Sequence, residues 1–160
     1  MLVTGIKQIA FGDIEADGGE ATTYDTLGRT REGTISFNAA DDQTQDINVE
    51  EQDDPVMQVI TTKGTLDISY SMVDWSDDIL IALLGGSVVN NQWQAPEQSP
   101  TIEKSFKITP RDGNPFIYPR VKVTTKVNYD STGKIFQLDV TCRKLKPTKA
   151  GEPGFKWGEL

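Results

Sequence analysis

Apolar residues alternate with polar ones along much of this chain, and a period of two is typical of β-strands that bury one face. Three segments can be tested as hairpins, because correct pairing must bring apolar side chains onto a common face. The last of them passes the test with a four-residue turn at 130–133. Its predicted pairs are Tyr129 with Lys134, Val127 with Phe136, Thr125 with Leu138, Val123 with Val140, and Val121 with Cys142. We therefore expect a long hairpin with one apolar face.

The opposite face of this hairpin is polar. It carries Lys122, Thr124 and Lys126 on the first strand, and Asp139, Thr141 and Arg143 on the second. Because these side chains alternate with the apolar ones, they are predicted to lie on the solvated side of the sheet.

A second hairpin is predicted around a turn at Lys63 and Gly64, and Gly64 is expected to take the positive φ that such a turn requires. The predicted pairs are Thr61 with Leu66, Val59 with Ile68, and Met57 with Tyr70.

The earliest hairpin leaves residues 38–46 as a polar, acidic arm. Its predicted pairs are Phe37 with Ile47 and Ile35 with Val49. Two cross-strand pairs do not support a hairpin alone. We therefore expect the arm to be mobile or to be ordered by a neighbouring molecule.

One helix interrupts the predicted strands. Asp74 or Ser76 can cap its start, and Gly85 followed by Gly86 ends it. The residues at 79–84 are mostly large and apolar, so we expect them to be covered on more than one side.

Further strands are predicted near residues 5–14, 87–94 and 103–109, before a tail at 147–160 that is rich in Pro and Gly. This pattern favours a mainly β fold, an antiparallel β-sandwich or partly closed barrel flanked by one short α-helix, with a long hairpin arm. The 160 residues are predicted to form one domain, 1–160, that includes the arm at 38–46 and a C-terminal extension at 147–160.

Charge is segregated along the chain. Residues 32–62 contain eight carboxylates and no Lys or Arg, whereas residues 104–149 contain eleven bases and three acids. The whole chain has a net charge of −8. Blocks of opposite charge attract each other, either within one subunit or between copies.

Composition argues against several classes of protein. The chain has no histidine, which removes the commonest general base and metal ligand. It has one cysteine, and its first seven residues lack a basic region followed by an apolar run, so we expect synthesis in a reducing cytosol. The longest mostly apolar stretch, 79–84, is far shorter than the roughly 20 residues that span a bilayer, so no membrane insertion is expected.

The segment Asp13–Gly18 has acids at relative positions one, three and five and glycine at position six, as calcium loops begin. Position twelve is Tyr24, where such a loop needs a bidentate glutamate. An acidic turn is the favoured interpretation, and no metal or cofactor is predicted.

No catalytic residue is predicted either. Paired carboxylates can hydrolyse glycosidic bonds, but acids on a weakly packed arm lie in water, whereas a general acid is tuned by burial. Cys142 faces the apolar side of its hairpin and has no histidine to activate it, so it is interpreted as a core residue. The paired glycines at 18–19 and 85–86 lack the spacing and lysine of nucleotide-binding loops. We therefore expect that the chain is not an enzyme.

A basic face near the C-terminus is a candidate for binding phosphate backbones. Its residues are Lys122, Lys126, Arg143, Lys144, Lys146 and Lys149. The net negative charge opposes nucleic-acid binding, and aromatic residues do not interleave the lysines as single-strand binding requires. An acidic block on a neighbouring copy is the favoured partner.

Taken in order, several segments resemble the major tail tube proteins of long-tailed bacteriophages. They are Thr4-Gly5-Ile6-Lys7 with Phe11-Gly12, the strand at 32–37, Asp54-Pro55-Val56 leading to Lys63-Gly64, the helix end Leu83-Leu84-Gly85-Gly86, and the closing long hairpin. Each segment is generic alone, and their order over nearly the whole chain is what makes the resemblance.

The resemblance implies a virion protein of the phage tail, made in the cytoplasm of the host bacterium. Six copies would close into a ring, and rings would stack into a tube through which the genome leaves the capsid. The implied partners are further copies of the chain and the tape measure, tail terminator and baseplate or tail-tip proteins, while DNA passes without specific binding. The residues predicted at contacts between copies are Asn38, Asp41, Asp42, Asp46, Glu50, Lys122, Lys126, Arg143, Phe155 and Trp157.

Two alternatives stay open. The inner tube of a contractile tail or of a related secretion apparatus is built from similar ring-forming sandwiches. A monomeric sandwich that binds a carbohydrate is the alternative from another class, with Trp75, Trp93 or Trp157 as a stacking platform.

Overall fold

The computed structural model describes residues 1–26 and 28–158, which form strands and one short helix. The strands are β1 Gln8–Gly12, β2 Asp25–Thr26, β3 Arg29–Thr30, β4 Ser36–Ala39, β5 Gln43–Ile47, β6 Met57–Thr62, β7 Leu66–Asp74, β8 Ser87–Val89, β9 Gln92–Gln94, β10 Ile102–Thr109, β11 Phe116–Asp130, β12 Ile135–Lys144 and β13 Lys156–Trp157. The helix, α1, is Asp77–Leu84. All strand pairs in the described residues are antiparallel, so the prediction of a mainly β, sandwich-like fold with one short helix is confirmed, without a closed barrel.

The main sheet has the order β2-β1-β10-β11-β12-β7-β3, with β13 beside β11 and β4 beside β7. One face of this sheet is the core, centred on Phe106, whose ring packs between Phe11 and Tyr118 at centroid distances of 5.1 and 6.3 Å. Helix α1 adds Ile79 and Leu83 to the same core. Within the described residues, no helix is long and apolar enough to cross a bilayer.

Helix α1 has the predicted ends. Ser76 is the N-cap residue with extended backbone, although its hydroxyl makes no capping hydrogen bond. Gly85 takes a φ of 77°, and its N–H donates to the carbonyl of Ile81 at 3.0 Å. Ile79 and Leu83 are buried while Ile81 is exposed, so the chain's own core covers one side of the helix.

The long hairpin forms as predicted, but its register is shifted by two residues. Tyr129 pairs with Phe136 and Val123 with Cys142. The turn is at 131–134, because Asp130 stays in the strand and its carboxylate accepts the N–H of Thr132 at 3.0 Å. Moving a four-residue turn along by one residue shifts the pairing by two, so the apolar and polar faces are preserved.

The two earlier hairpin predictions are wrong. Strand β6 pairs with β5 rather than β7, so that Val59 lies opposite Gln45 and not Ile68. Strand β7 lies between β12 and β4, with Ile68 opposite both Cys142 and Phe37. The β5–β6 hairpin is thus nested between β4 and β7, and this arrangement gives backbone partners to all four strands, whereas the predicted pairing left 38–46 without any.

Gly64 does not take the predicted positive φ. It is needed for a different reason, since a Cβ at this position would collide with the carbonyl oxygen of Ala40. The N–H of Gly64 donates to the carboxylate of Asp42 at 2.6 Å, and the N–H of Ala40 donates to the carbonyl of Thr65 at 2.8 Å. These contacts define the base of the nested hairpin.

The C-terminal tail packs on its own subunit. Trp157 pairs with Phe116 through β13, and the ring of Phe155 lies 5.0 Å from that of Tyr118 between centroids. Phe155 and Trp157 remain partly exposed on their outer sides.

Candidate subunit interface

The arm is much longer than predicted. It consists of residues 41–63, that is, β5, β6 and the loop between them, and every residue from Ser36 to Lys63 is exposed. A hairpin with no buried residue has little to fix its position on the subunit to which it belongs.

The carboxylates of the arm have no ion-pair partner among the described residues. They are Asp41, Asp42, Asp46, Glu50, Glu51, Asp53 and Asp54. The arm therefore does not fold back onto the basic strands of its own chain through ion pairs, and its negative charge is left for solvent or for another molecule.

One face of the arm is apolar. Ile47 lies opposite Met57, and Val59 lies two residues further along the same face, since side chains alternate in a strand. These three side chains are 42%, 58% and 40% exposed, respectively. The opposite face is more polar, and there Gln58 donates to Asp46 at 2.9 Å. We call Ile47, Met57 and Val59 the apolar arm face.

The polar side of the long hairpin forms an open groove of about 530 Å³. It is lined by Asp67, Lys122, Thr124, Lys126, Asp139, Thr141 and Arg143. This confirms the predicted polar face, and we call it the basic groove.

Within the basic groove, Arg143 donates two hydrogen bonds to Asp67 at 2.9 and 3.2 Å, and these hold the pKa of the Asp67 carboxyl below its usual range. Asp139 accepts hydrogen bonds from neutral donors, among them Ser71 at 2.7 Å. Lys122 and Lys126 have no ion-pair partner in the described part of the chain. Two ammonium groups of the groove are therefore available to an anionic group from outside the subunit.

The far end of the long hairpin carries a second uncovered apolar face. Val127, Tyr129 and Phe136 are 60%, 47% and 61% exposed, although they continue the core-facing side of β11 and β12. The reason is that the neighbouring strands pair with only part of the hairpin. The pairing of β10 with β11 ends at Val123, and the pairing of β7 with β12 ends at Leu138. We call Val127, Tyr129 and Phe136 the hairpin end.

The opposite side of the hairpin end is braced by Arg31. Its guanidinium donates to Asp130 at 2.6 Å and to Gln137 at 2.9 Å, so it connects the two strands. The hydrogen bond from Arg31 is the main reason that the pKa of Asp130 is lowered.

The predicted interface residues lie in three places. Asp41, Asp42, Asp46 and Glu50 belong to the arm, and Asn38 lies beside its base in β4. Lys122, Lys126 and Arg143 line the basic groove, and Phe155 and Trp157 lie on the tail. Asp42 and Arg143 have partners in their own chain, at Gly64 and Asp67.

Sequence reasoning missed the hairpin end and the apolar arm face. Period-two alternation identified Val127 and Phe136 as members of an apolar face, but alternation does not show where the neighbouring strands stop. The apolar arm face was hidden because β6 was assigned to the wrong partner strand.

The calcium-like segment has its acids engaged elsewhere. Asp13 pairs with Lys104, Glu15 accepts from Thr22, and Asp17 accepts the N–H of Gly19 at 2.9 Å. The described residues contain no cluster of three or more side chains that is suited to a metal ion. Cys142 is buried as predicted, and burial raises the pKa of its thiol.

The three tryptophans are engaged with different parts of the chain. Trp75 packs against the core, and the indole N–H of Trp93 donates to the carbonyl of Gly85 at 2.9 Å. The ring of Trp157 lies against that of Phe116. Nothing in these contacts assembles a shared stacking platform.

Comparison with known proteins does not assign a family. No protein-family model matches the sequence, and no curated protein matches it either.

Proposed function

We propose that this chain is a non-enzymatic structural subunit of a bacteriophage tail, whose copies assemble into hexameric rings that stack as the tail tube. The exposure of the arm is the observation that best supports the proposal. It exposes apolar side chains and unpaired carboxylates together, and an apolar face in water is a feature of surfaces that bind a partner.

Charge supports a second copy of the same chain as that partner. The arm is acidic and unpaired, while the basic groove offers Lys122 and Lys126 without partners in the described residues. Unlike charges favour contact between different surfaces of identical molecules, and such heterologous contacts produce rings or open stacks.

Edge strands support the same assembly. Strand β5 pairs only with β6 in the described residues, so each strand of the arm has a free edge that can accept a strand from another copy. In the proposed tube these edges are covered by neighbouring subunits, and the tube is the conduit for genome ejection.

Electron microscopy of the purified protein tests the proposal. We expect rings or tubes to form as the protein concentration is raised. A species that stays strictly monomeric at high concentration would contradict the proposed function.

A variant without the arm provides the matched control. Replacing residues 41–64 with Asn-Gly connects Ala40 to Thr65, which already share a backbone hydrogen bond between β4 and β7. Asn-Gly suits a two-residue hairpin turn, so we expect a folded subunit with a melting temperature close to that of the wild type. We expect it to remain monomeric, and unfolding of this variant would show that the arm belongs to the core.

A further inference from the structure

We propose that the apolar arm face of one copy (Ile47, Met57 and Val59) docks onto the hairpin end of a second copy (Val127, Tyr129 and Phe136), so that subunits join head to tail. The inference depends on the proposed function and specifies the contact that stacks the rings.

The base of the arm and the hairpin end lie at opposite ends of β12. Strand β7 runs antiparallel to β12, with Met72 opposite Leu138 and Asp67 opposite Arg143. The arm leaves the sheet just before β7, so its base lies beyond the Lys144 end of β12. Phe136 lies at the other end of β12, about 30 Å away at roughly 3.3 Å per residue. The arm therefore starts far from the hairpin end of its own chain.

Among the described residues, each of these faces is left about half exposed by its own subunit. The hairpin end extends past the residues of β11 and β12 that pair with β10 and β7, and the arm has no buried residue. Contact between the two faces removes both from water, which is favourable in proportion to the apolar area buried.

Charge favours contact between the arm and the hairpin end over contact between two arms. An arm against an arm would bring together two sets of unpaired carboxylates, which repel. The hairpin end instead lies beside Lys134 in the hairpin turn, and Lys134 has no ion-pair partner in the part of the chain that the structure describes. Repetition of a head-to-tail contact gives an open stack rather than a closed pair.

Arg31 prepares the hairpin end for this contact. Its hydrogen bonds to Asp130 and Gln137 fix both strands from the opposite face, so the apolar side chains need little reorganisation on docking.

Disulfide cross-linking between two single-site variants tests the contact. Met57→Cys protein is mixed with Phe136→Cys protein that carries a size tag, and the mixture is allowed to assemble before oxidation. The matched control replaces Met57→Cys with Ile60→Cys, which is also exposed but lies on the other face of the arm. The native Cys142 is fully buried and does not compete in the folded subunit. We expect several-fold more mixed dimer from the Met57 pair than from the Ile60 pair.

The other outcomes separate the two proposals. If tubes form but both pairs cross-link equally or not at all, the docking contact is wrong and the proposed function still stands. If the wild type never leaves the monomeric state, the proposed function is wrong and the docking contact is lost with it. If the Met57→Cys or Phe136→Cys protein does not assemble, Val59→Cys mixed with Val127→Cys probes the same two faces. Absence of the mixed dimer in this second pair would show that the proposed docking contact is wrong.

Discussion

Arg31 shows how one residue organises a distant part of the molecule. It follows β3, yet its guanidinium reaches Asp130 at the end of β11 and Gln137 at the start of β12. Its backbone N–H also donates to the carbonyl of Ser71 at 2.8 Å, which anchors it to the sheet. Arg31 thus connects the polar side of the hairpin end to β7.

The pH dependence of stability tests this connection. Because Arg31 lowers the pKa of Asp130, the ionised pair stabilises the folded state above the ordinary aspartate pKa of about 3.9. That contribution is lost as the pH falls through the lowered value of the folded state. In denaturant titrations between pH 5 and pH 2, we therefore expect the wild type to lose more stability than Arg31→Met. Parallel curves for the two proteins would show that the pair does not contribute.

At the scale of elements, the arm is a strand pair with two chemically different faces. Val59 and Ile60 are neighbours in β6 and are similarly exposed, but they point to opposite faces. The same substitution at each position therefore separates the effect on assembly of altering the apolar arm face from the effect of adding a charge to the arm.

Substitution of these neighbours by aspartate tests the role of the apolar arm face. We expect Val59→Asp to abolish or strongly reduce assembly, because docking would bury an unpaired carboxylate. Ile60→Asp adds the same charge on the other face, so we expect assembly close to that of the wild type. Sedimentation velocity measures both, and circular dichroism checks that each variant is folded. Equal loss in the two variants would mean that charge, not the apolar face, decides assembly.

At the scale of the whole molecule, the charge blocks are segregated in space as well as in sequence. The carboxylates of the arm lie on an exposed hairpin, while Lys122 and Lys126 lie in the basic groove on the main sheet. Ion pairs within the described residues connect segments of the main body and leave the arm out. Because of this separation, we expect the attraction between the arm carboxylates and the lysines of the basic groove to stabilise contacts between subunits more than the fold of one subunit.

Salt dependence follows from that separation. The Debye length falls from about 10 Å at 0.1 M salt to about 3 Å at 1 M. We expect tubes to shorten or dissociate in 1 M NaCl, as counted by electron microscopy, while the melting temperature of the subunit changes little. The double variant Lys122→Gln and Lys126→Gln is expected to form fewer tubes at 0.1 M and to respond less to salt. Tubes that are equally abundant at both salt concentrations would argue against an electrostatic contribution.

Several local features could be read from the amino acids. The ends of α1 follow from Ser76 and Gly85, and the faces of the long hairpin follow from alternation. The predicted register of the long hairpin was wrong by two residues, but each side chain still lies on its predicted face. In the candidate interface, the acidic arm residues and the basic groove were predicted, whereas the hairpin end was not.

The sequence by itself determined the two strands of the long hairpin, which of their faces is apolar, and where the helix begins and ends, because these depend on side chains close together in the chain. Only the tertiary structure decided that β5 pairs with β6, that β4 pairs with β7, and that the pairing of β11 with β10 and of β12 with β7 ends before the hairpin end. The physical reason is that several strands carry similar patterns, so the choice of partner depends on which arrangement pairs the most backbone groups across the whole sheet. Exposure of Val127, Tyr129 and Phe136 is set by that remote choice and by nothing in their own segment.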